Sequence, residues 1–369
     1  MKATANKPIV IAAGGTGGHF YPAEALAAEL LARGERVVLI TDARSGGLAS
    51  SVFNRAEKHV VSGEGLAGRG AKRALLGAVQ LAKGVVEARA IIKKLKPHAV
   101  VAFGGYPSVP PVLAAASLFG AARPRVILHE QNAVLGRANR FLARFATLLA
   151  LNFATTSRVP LGGKTRIVGN PVRPAIAELH GHGYTPPGET IELFVLGGSL
   201  GAKIFSTLIP EALARLPEAL RARINLVQQV RADDVEMARA ILKLAGIKAE
   251  LSPFFTNVFV HLARAHLVIA RAGASTVAEI AAVGRPALFI PLPTAIDDHQ
   301  RENALALVAA GGAWSLDQNG LTPDILAEKI EKLLNDPETL AIAAGHAATL
   351  GRIDAAQTLA NLVLEGVSA

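Results

Sequence analysis

The sequence predicts an α/β protein of two Rossmann-like domains, each a doubly wound parallel sheet, facing one another across a cleft. Three observations predict this fold class. The length of 369 residues exceeds the size at which one hydrophobic core usually stops growing. Short aliphatic and β-branched runs alternate with longer alanine- and leucine-rich runs, as in parallel sheets covered by helices on both faces. Each half also opens with an apolar strand, a Gly-Gly loop and a helix.

The first half is predicted to contain four buried strands separated by helices. The strands are Ile9–Ala13, Val37–Ile40, Ala99–Phe103 and Arg125–His129. The helices are Pro22–Arg33, Leu75–Leu95, Val112–Phe119 and Arg137–Phe145. No charge interrupts the stretch from Ala99 to Ala122, but its Gly-Gly-Tyr-Pro centre would break a membrane-spanning helix. We therefore expect a strand, a glycine turn and a helix there.

The second half repeats this alternation of predicted strands and helices after a Gly-, Pro- and His-rich linker over Gly169–Gly188. Its predicted strands are Glu192–Leu196, Ile224–Gln228, Leu267–Ala270 and Ala287–Ile290, and a helix follows over Gln300–Ala310. A final helix near Asp354–Glu365 has no strand after it. The predicted domains are residues 1–168 and 169–350, with residues 351–369 packing back on the first domain.

Composition narrows the functional class. Apolar residues form 51% of the chain and charged residues 18%, which is enough for two cores without long disordered segments. The absence of cysteine excludes disulfides, zinc-thiolate sites and a cysteine nucleophile. A net charge of +10 favours an anionic partner, yet only 5% of residues are aromatic and no base-stacking motif is present, so nucleic acid is not expected. The apolar run Pro8–Ala13 is too short for a signal peptide.

Three glycine-rich loops follow predicted strands: Gly14–His19, Gly104–Ser108 and Gly197–Ala202. Glycine lets the backbone approach a ligand, and the amides at a following helix N-terminus favour an anion. None of the loops has the G-x-G-x-x-G or Walker spacing. One such loop could be a packing turn, whereas three at strand ends predict diphosphate binding.

The block Arg271–Glu279 places a helix start directly after a strand. Glu279 follows one turn later, where its carboxylate could accept hydrogen bonds from ribose hydroxyls. Local sequence leaves a second interpretation open, in which Ser275 caps the helix and Glu279 only complements the helix dipole.

Six motifs appear in order along the chain. They are Gly14–His19, His129–Asn132, Gly169–Arg173, Gly197–Ala202, Arg271–Ala274 with Thr276 and Glu279, and Asp298–Gln300 with Asn303. This set resembles the family of peptidoglycan N-acetylglucosaminyltransferases, which convert lipid I to lipid II. The resemblance implies the GT-B fold, a lipid acceptor on the N-terminal domain and UDP-N-acetylglucosamine on the C-terminal domain. It also implies an inverting transfer to the muramyl 4-hydroxyl. No Asp-x-Asp motif follows a predicted strand, so a metal need not neutralise the diphosphate, and no cofactor is expected.

The resemblance implies roles for individual residues. His19 would be the general base, although capping the helix or binding phosphate is an alternative role. The donor would be bound by Thr16, Gly17, Gly18, Asn132, Arg173, Ser199, Phe254, Phe255, Ala274, Ser275, Thr276, Val277, Ala278, Glu279 and Gln300. The acceptor would be bound by Gly14, Gly15, Gly104, Gly105, Tyr106, Glu130 and Asn139. Two segments, Val227–Ala232 and Thr256-Asn257, depart from the family pattern on the uracil side.

Basic residues are concentrated between Gly63 and Pro97, interleaved with leucine and valine. Such a segment suits peripheral attachment to anionic lipid, at about 1 kcal/mol per basic residue near the surface. An ordinary solvated helix face is the alternative. With a lipid-linked acceptor, we expect the cytoplasmic face of the bacterial inner membrane, where cell-wall or division proteins would be neighbours.

Three other functions remain to be separated. A UDP-sugar epimerase could share the two-domain design, but it needs proton-transfer groups at the donor sugar. A dehydrogenase is disfavoured because the G-x-G-x-x-G motif is missing. A non-enzymatic nucleotide-binding protein would explain the loops but not the adjacent His19.

Overall fold

The structure, a computed structural model, describes residues 7–15, 17–43, 50–63, 71–198 and 201–365. The chain divides into two compact units. Unit 1 comprises residues 1–173 and 354–369, and unit 2 comprises residues 174–353. Within the described ranges, no helix is both long and apolar enough to span a bilayer.

Unit 1 contains a parallel sheet of seven described strands in the order β3-β2-β1-β4-β5-β6-β7. The strands are β1 Ile9–Ala12, β2 Val37–Thr41, β3 Glu57–Val60, β4 Ala99–Ala102, β5 Arg125–Glu130, β6 Leu148–Leu151 and β7 Thr165–Ile167. The helices are α1 Gly17–Ala32, α2 Ala71–Leu95, α3 Val109–Ala116 and α4 Arg137–Leu142. Strand β1 pairs with both β2 and β4. Strands β2 and β3 lie on one side of β1 and strands β4 to β7 on the other, so the strand order reverses between β1 and β4.

Unit 2 contains a parallel sheet of six described strands in the order β10-β9-β8-β11-β12-β13. The strands are β8 Ile191–Leu196, β9 Ile224–Gln229, β10 Lys248–Ser252, β11 Leu267–Ala270, β12 Ala287–Phe289 and β13 Ala313–Ser315. The helices are α5 Pro174–Ala177, α6 Lys203–Ala214, α7 Glu218–Arg221, α8 Val235–Leu244, α9 Val258–Arg264, α10 Ala274–Val283, α11 His299–Ala309, α12 Pro323–Leu334 and α13 Pro337–Thr349. Here the order reverses between β8 and β11. The predicted fold class of two Rossmann-like domains is confirmed.

The central strands are buried because both faces of each sheet carry helices. In β1, Ile9 and Ile11 pack in the same cluster as α1, whereas Val10 faces the cluster that contains Ile92 of α2 and Val112 of α3. Because the residues on both faces of these strands are buried, the central strands are continuous apolar runs in the sequence and do not alternate between apolar and polar residues.

The last described helix, α14 Ala355–Leu364, returns to unit 1 and packs against α1. Leu359 and Val363 are buried in the cluster that also contains Leu26 of α1. Burying an aliphatic side chain of this size contributes about 1.5–3 kcal/mol. Arg33 fixes the register of the two helices, since its Nη1 donates to Asn361 Oδ1 at 2.6 Å.

The start of α1 corrects the sequence-based boundary. The helix begins at Gly17, so Pro22 lies inside it rather than in its first turn. Proline has no N–H to donate to the carbonyl one turn back, and the helix tolerates the loss of that one bond. As a result, His19 belongs to the first turn of α1 instead of the preceding loop.

Candidate active site

The two glycine loops of unit 1 lie side by side at the carboxyl ends of β1 and β4. Ala12 and Ala102 are paired at the ends of these strands. Gly15 after β1 has φ +85°, and Gly104 and Gly105 after β4 have φ +83° and +69°. Thr16 lies outside the described residues. The loops therefore converge where the strand order reverses, which is the usual ligand position in an open α/β sheet.

His19 projects from the first turn of α1 onto the second glycine loop. A Cβ built on Gly105 would be 3.1 Å from His19 Cδ2 and 3.4 Å from Nε2, and one on Gly104 would be 3.5 Å from Cε1. The other ring nitrogen, Nδ1, lies 3.2 Å from Gln131 Oε1. Glycine at 104 and 105 thus leaves room for the half-buried imidazole, with Nε2 towards Gly105. Gly17 and Gly18 form the helix start beside it.

Glu130 organises the loop after β5. Its Oε1 accepts hydrogen bonds from Asn132 N at 3.0 Å and Asn132 Nδ2 at 2.9 Å. Its Oε2 accepts from Gly136 N at 2.8 Å and Asn139 Nδ2 at 2.9 Å. Bonds to a charged group are worth about 1.5–3 kcal/mol each, so this buried carboxylate braces Asn132 and Asn139 firmly. Direct contact between Glu130 and an acceptor stays a prediction.

Asn139 lies between the Glu130 brace and the glycine loop. A Cβ on Gly104 would be 3.3 Å from Asn139 Nδ2 and 3.6 Å from Oδ1. Among the described residues, the buried Oδ1 has no hydrogen-bond partner. Tyr106 begins a short 3-10 turn directly after Gly105. The structure thus brings together Gly104, Gly105, Asn139 and His19 within unit 1.

Sequence reasoning missed two residues of this group, His129 and Gln131. His129 is fully buried at the end of β5 and its Nε2 lies 2.9 Å from Gly169 O. Burial lowers the pKa of His129 to about 4, against the opposing effects of the Gly169 carbonyl and Glu130. Both residues stand in the motif His129–Asn132, but only their contacts across the sheet distinguish them from core residues.

Arg173 lies at the end of unit 1, and its guanidinium carbon is 5.1 Å from the centre of the Tyr21 ring. Tyr21 is two residues beyond His19 on α1. The structure therefore places Arg173 against the helix that carries His19.

In unit 2, the loops after β8 and β11 are adjacent in the same way. Leu196 and Ala270 pair at the ends of these strands. A Cβ on Gly197 would lie 2.4 Å from Ala202 N, so glycine at position 197 permits the close approach of the Ala202 main chain. Ser199 lies outside the described residues. These loops again meet where the strand order reverses.

The helix α10 starts immediately after β11, with Gly273 at its N-cap. Glycine at this position has no side chain with which to cap the helix. Helix N-termini attract anions through their backbone amides and dipole. The first turn consists of the predicted donor residues Ala274, Ser275, Thr276 and Val277, followed by Ala278 and Glu279. Glu279 is buried in the second turn.

Arg271 ties the loops around this helix start together. Its Nη1 donates to Ile290 O at 2.8 Å and to Pro291 O at 3.0 Å, and Nη2 donates to Gln318 Oε1 at 2.6 Å. Burial lowers the pKa of Arg271 to about 10, so it stays charged at neutral pH. The guanidinium therefore holds β11 and the chain after β12 in fixed register.

Gln300 enters the same loop system from α11. Its Oε1 accepts from Leu292 N at 3.0 Å, which anchors the side chain to the loop after β12. The preceding residues Asp297 and Asp298 have φ +57° and +56°. Left-handed backbone at two consecutive non-glycine residues is uncommon and costs energy, and such strain concentrates at functional sites.

Phe254 and Phe255 follow β10, two strands away from β8. Phe255 is buried against Phe194 and His261, whereas Phe254 is exposed. Ser252 Oγ donates to Phe254 O at 2.7 Å and fixes the turn. Because Phe194 belongs to β8 and its ring centre is 6.1 Å from that of Phe255, the chain after β10 returns to that strand.

Comparison with known proteins adds the decisive observation. Residues 9–150 match the glycosyltransferase family 28 N-terminal domain, and residues 192–359 match the glycosyltransferase family 28 C-terminal domain. The chain belongs to glycosyltransferase family 28. A protein of Granulibacter bethesdensis named UDP-N-acetylglucosamine–N-acetylmuramyl-(pentapeptide) pyrophosphoryl-undecaprenol N-acetylglucosamine transferase is 57% identical over 361 residues, covering 97% of this chain and 94% of the relative. A protein of Acidiphilium cryptum with the same name is 57% identical over 368 residues, covering 100% and 99%.

Solved structures agree with this family. The crystal structure of Acinetobacter baumannii MurG has a TM-score of 0.76 and 29% identity, covering 98% of this chain and 99% of that one. The UDP-GlcNAc 2-epimerase of Neisseria meningitidis has a TM-score of 0.65 at 11% identity, covering 97% and 100%. At that identity, the likeness to the epimerase reflects the shared fold alone. The GT-B architecture of this glycosyltransferase is therefore confirmed.

Proposed function

We propose that this protein transfers N-acetylglucosamine from UDP-N-acetylglucosamine to the muramyl 4-hydroxyl of undecaprenyl-diphosphate-linked muramyl pentapeptide, converting lipid I to lipid II. One observation carries the proposal: relatives named for this reaction are 57% identical along nearly the whole chain, so both domains are shared with them. The two family 28 domains support the same reaction class, hexosyl transfer.

Unit 2 supplies the donor site in this proposal. The N-terminus of α10 and the loop after β8 would offer amides to the diphosphate, and the turn at Phe254–Phe255 would take uracil. Glu279 would accept from ribose hydroxyls. Gln300, Ser199 and Arg173 would complete the donor contacts. The leaving UDP is stabilised as charge develops on it, which is where fixed dipoles accelerate a reaction most.

Unit 1 supplies the acceptor site and the base. His19 Nε2 removes the proton from the muramyl 4-hydroxyl as that oxygen attacks the anomeric carbon of the donor sugar. The new glycosidic bond forms while the bond from the anomeric carbon to the UDP oxygen breaks. Attack from the face opposite UDP inverts the anomeric centre. A well-placed general base contributes about 10²–10⁴-fold, and the close packing of His19 on Gly105 supports this placement.

We further propose that unit 1 attaches peripherally to the cytoplasmic face of the inner membrane through α2. On this helix the exposed side chains include Leu75, Leu76, Val79 and Val86, which are 56–69% exposed. The exposed basic side chains Lys83, Lys93 and Lys94 lie on the same helix. Anionic headgroups would attract these charges while the apolar side chains enter the interface.

A transfer assay tests the function. The protein is incubated with UDP-N-acetylglucosamine, with and without a short-chain lipid I analogue, and both UDP and the sugar products are measured. Release of UDP only with the acceptor, together with a β-linked disaccharide product, supports the proposal. Release of UDP or formation of an epimer without acceptor would instead assign an epimerase.

The His19→Ala variant tests the base in the same assay. Turnover should fall by about 10²-fold or more while UDP affinity stays nearly unchanged, because the imidazole acts on the acceptor proton. Turnover close to the wild-type value would remove His19 from this role.

A further inference from the structure

The side chain behind His19 is an amide rather than a carboxylate. Gln131 is 1% exposed, and its Oε1 lies 3.2 Å from His19 Nδ1. Its Nε2 lies 2.9 Å from Phe103 O and 3.1 Å from His129 Nδ1. His19, Gln131 and His129 form one continuous hydrogen-bonded chain inside unit 1, which ends at Gly169 O beyond His129. Phe103 O is a branch of this chain at Gln131 Nε2.

The chemistry of these partners fixes the direction of every bond. The Phe103 carbonyl oxygen can only accept, so the Gln131 group facing it must be the NH₂. Gln131 Oε1 therefore faces His19 and can only accept, which requires the hydrogen on His19 Nδ1. In the neutral ring, the lone pair then resides on Nε2, the nitrogen that faces Gly105.

The other end of the chain supports the same direction. Gly169 O can only accept, so His129 carries its hydrogen on Nε2. Burial lowers the pKa of His129 to about 4, which keeps this ring neutral with a single hydrogen at physiological pH. His129 Nδ1 is consequently free to accept the second N–H of Gln131. Each hydrogen in the chain has one acceptor, and no two donors oppose each other.

We propose that Gln131 is a positioning residue that locks His19 in the tautomer with hydrogen on Nδ1 and the basic lone pair on Nε2. This inference rests on the proposed role of His19 as the base. A histidine side chain exposed to water favours the opposite tautomer, with hydrogen on Nε2, and in that form the nitrogen beside Gly105 cannot accept a proton. Holding His19 in the tautomer with hydrogen on Nδ1 therefore raises the fraction of enzyme molecules in which Nε2 can act as the base.

The amide partner has a second consequence. An amide orients the ring without adding a negative charge beside it, and it does not itself take up a proton at physiological pH. The proton received by His19 Nε2 must therefore leave from that same nitrogen rather than pass along the chain to His129. Gln131 sets orientation and tautomer, and it does not serve as a relay.

Tautomer-resolved NMR with ¹⁵N-labelled histidine tests the lock in the ligand-free protein. Protonated and unprotonated ring nitrogens give distinct signals, and the His19→Ala spectrum assigns those of His19. Wild-type protein should show hydrogen on Nδ1. The Gln131→Met variant, which keeps the side-chain length but removes the amide, should show a mixture or the Nε2 form. Its kcat should fall about tenfold or more while KM for UDP-N-acetylglucosamine changes less than twofold.

Asn152→Ala is the matched control. The Asn152 side chain donates to the main-chain carbonyl of Gln131 at 2.8 Å, so its loss disturbs the same loop without touching the hydrogen-bonded chain. This variant should keep the wild-type tautomer and kcat within about threefold. If Gln131→Met and Asn152→Ala behave alike in both measurements, Gln131 has a structural role only.

Gln131→Glu separates the acceptor half of the amide from its donor half. One carboxyl oxygen can still accept from His19 Nδ1, so the tautomer and part of kcat should return relative to Gln131→Met. The other oxygen replaces the NH₂ that faces two acceptors, Phe103 O at 2.9 Å and His129 Nδ1 at 3.1 Å, so this variant should be less stable than wild type. A wild-type ring with hydrogen on Nε2 would overturn the proposal, whereas absent transfer activity with the expected tautomer would instead count against the proposed function.

Discussion

The substitution Gly105→Ala tests the link between backbone conformation and the base. Gly105 has φ +69° and ψ 179°, a region open almost only to glycine. An alanine there should cost about 1–3 kcal/mol in the free energy of unfolding of unit 1. Its Cβ would also lie 3.1 Å from His19 Cδ2, which is shorter than ordinary van der Waals contact at 3.4 Å and above.

The imidazole must therefore move by at least about 0.3 Å, or the loop must move away from it. A displacement of 1 Å at a reacting group can cost about 10²-fold, so we expect kcat to fall about tenfold in Gly105→Ala. The assay is acceptor-dependent UDP release, combined with urea unfolding to measure stability.

Gly162→Ala separates strain from displacement of the base. Gly162 also has a positive φ, +75°, but a Cβ there meets nothing within 4 Å. This control should lose stability and retain kcat. Equal kcat values for Gly105→Ala and Gly162→Ala would refute the reasoning, because strain without contact would then explain any loss.

Three further predictions concern the donor, the pH dependence and the membrane. Glu279→Ala should raise KM for UDP-N-acetylglucosamine about tenfold at nearly constant kcat, more than Ser275→Ala, since a charged acceptor bonds hydroxyls more strongly; an unchanged KM would remove the ribose contact. The lowered pKa of His129 means that the unfolded chain binds a proton near pH 6.5 but the folded chain only near pH 4. The neutral His129 ring therefore contributes roughly 3 kcal/mol to the free energy of unfolding above pH 6.5, and this contribution disappears as the pH falls to 4. Urea unfolding at pH 7 and pH 4.5 should show the loss of stability, and the loss should be smaller in His129→Gln. The double variant Leu76→Glu with Val79→Glu should bind anionic vesicles at least tenfold more weakly than wild type. Leu161→Glu, at another exposed leucine, should bind as wild type does. Equal binding of wild type, the double variant and Leu161→Glu would exclude α2 as the attachment site.

The elements that the sequence predicted well are those whose burial leaves a pattern in the residues. Strands β1, β4 and β11 are continuous apolar runs, and β8 is apolar except for Glu192, since helices cover both of their faces. A glycine follows shortly after the end of each of these strands. The strands β3 and β10, at one edge of each sheet, were missed because their residues, Glu57–Val60 and Lys248–Ser252, are mostly polar and partly exposed. Their pairing depends on the neighbouring strand and not on their own composition.

The proposed donor side shows the same division. Sequence reasoning singled out Gly273–Glu279 because a glycine between a strand and a helix predicts a helix N-terminus, whose amides favour an anion. It could not show that Arg271 bonds the carbonyls of Ile290 and Pro291, since these residues are far apart in the chain. That network exists only because β11 and β12 are neighbours in the sheet.

By itself, the sequence determined the two-domain α/β class, the glycine loops at the strand ends and the resemblance of ordered motifs, because each depends on residues close together in the chain. Only the tertiary structure decided that the loops after β1 and β4 adjoin, and that Gln131 stands between His19 and His129. The physical reason is that parallel strands far apart in the chain bring their carboxyl ends to one edge. The direction of the hydrogen bonds, and hence the ring nitrogen that carries the hydrogen in His19 and in His129, follows from these contacts and not from the local sequence.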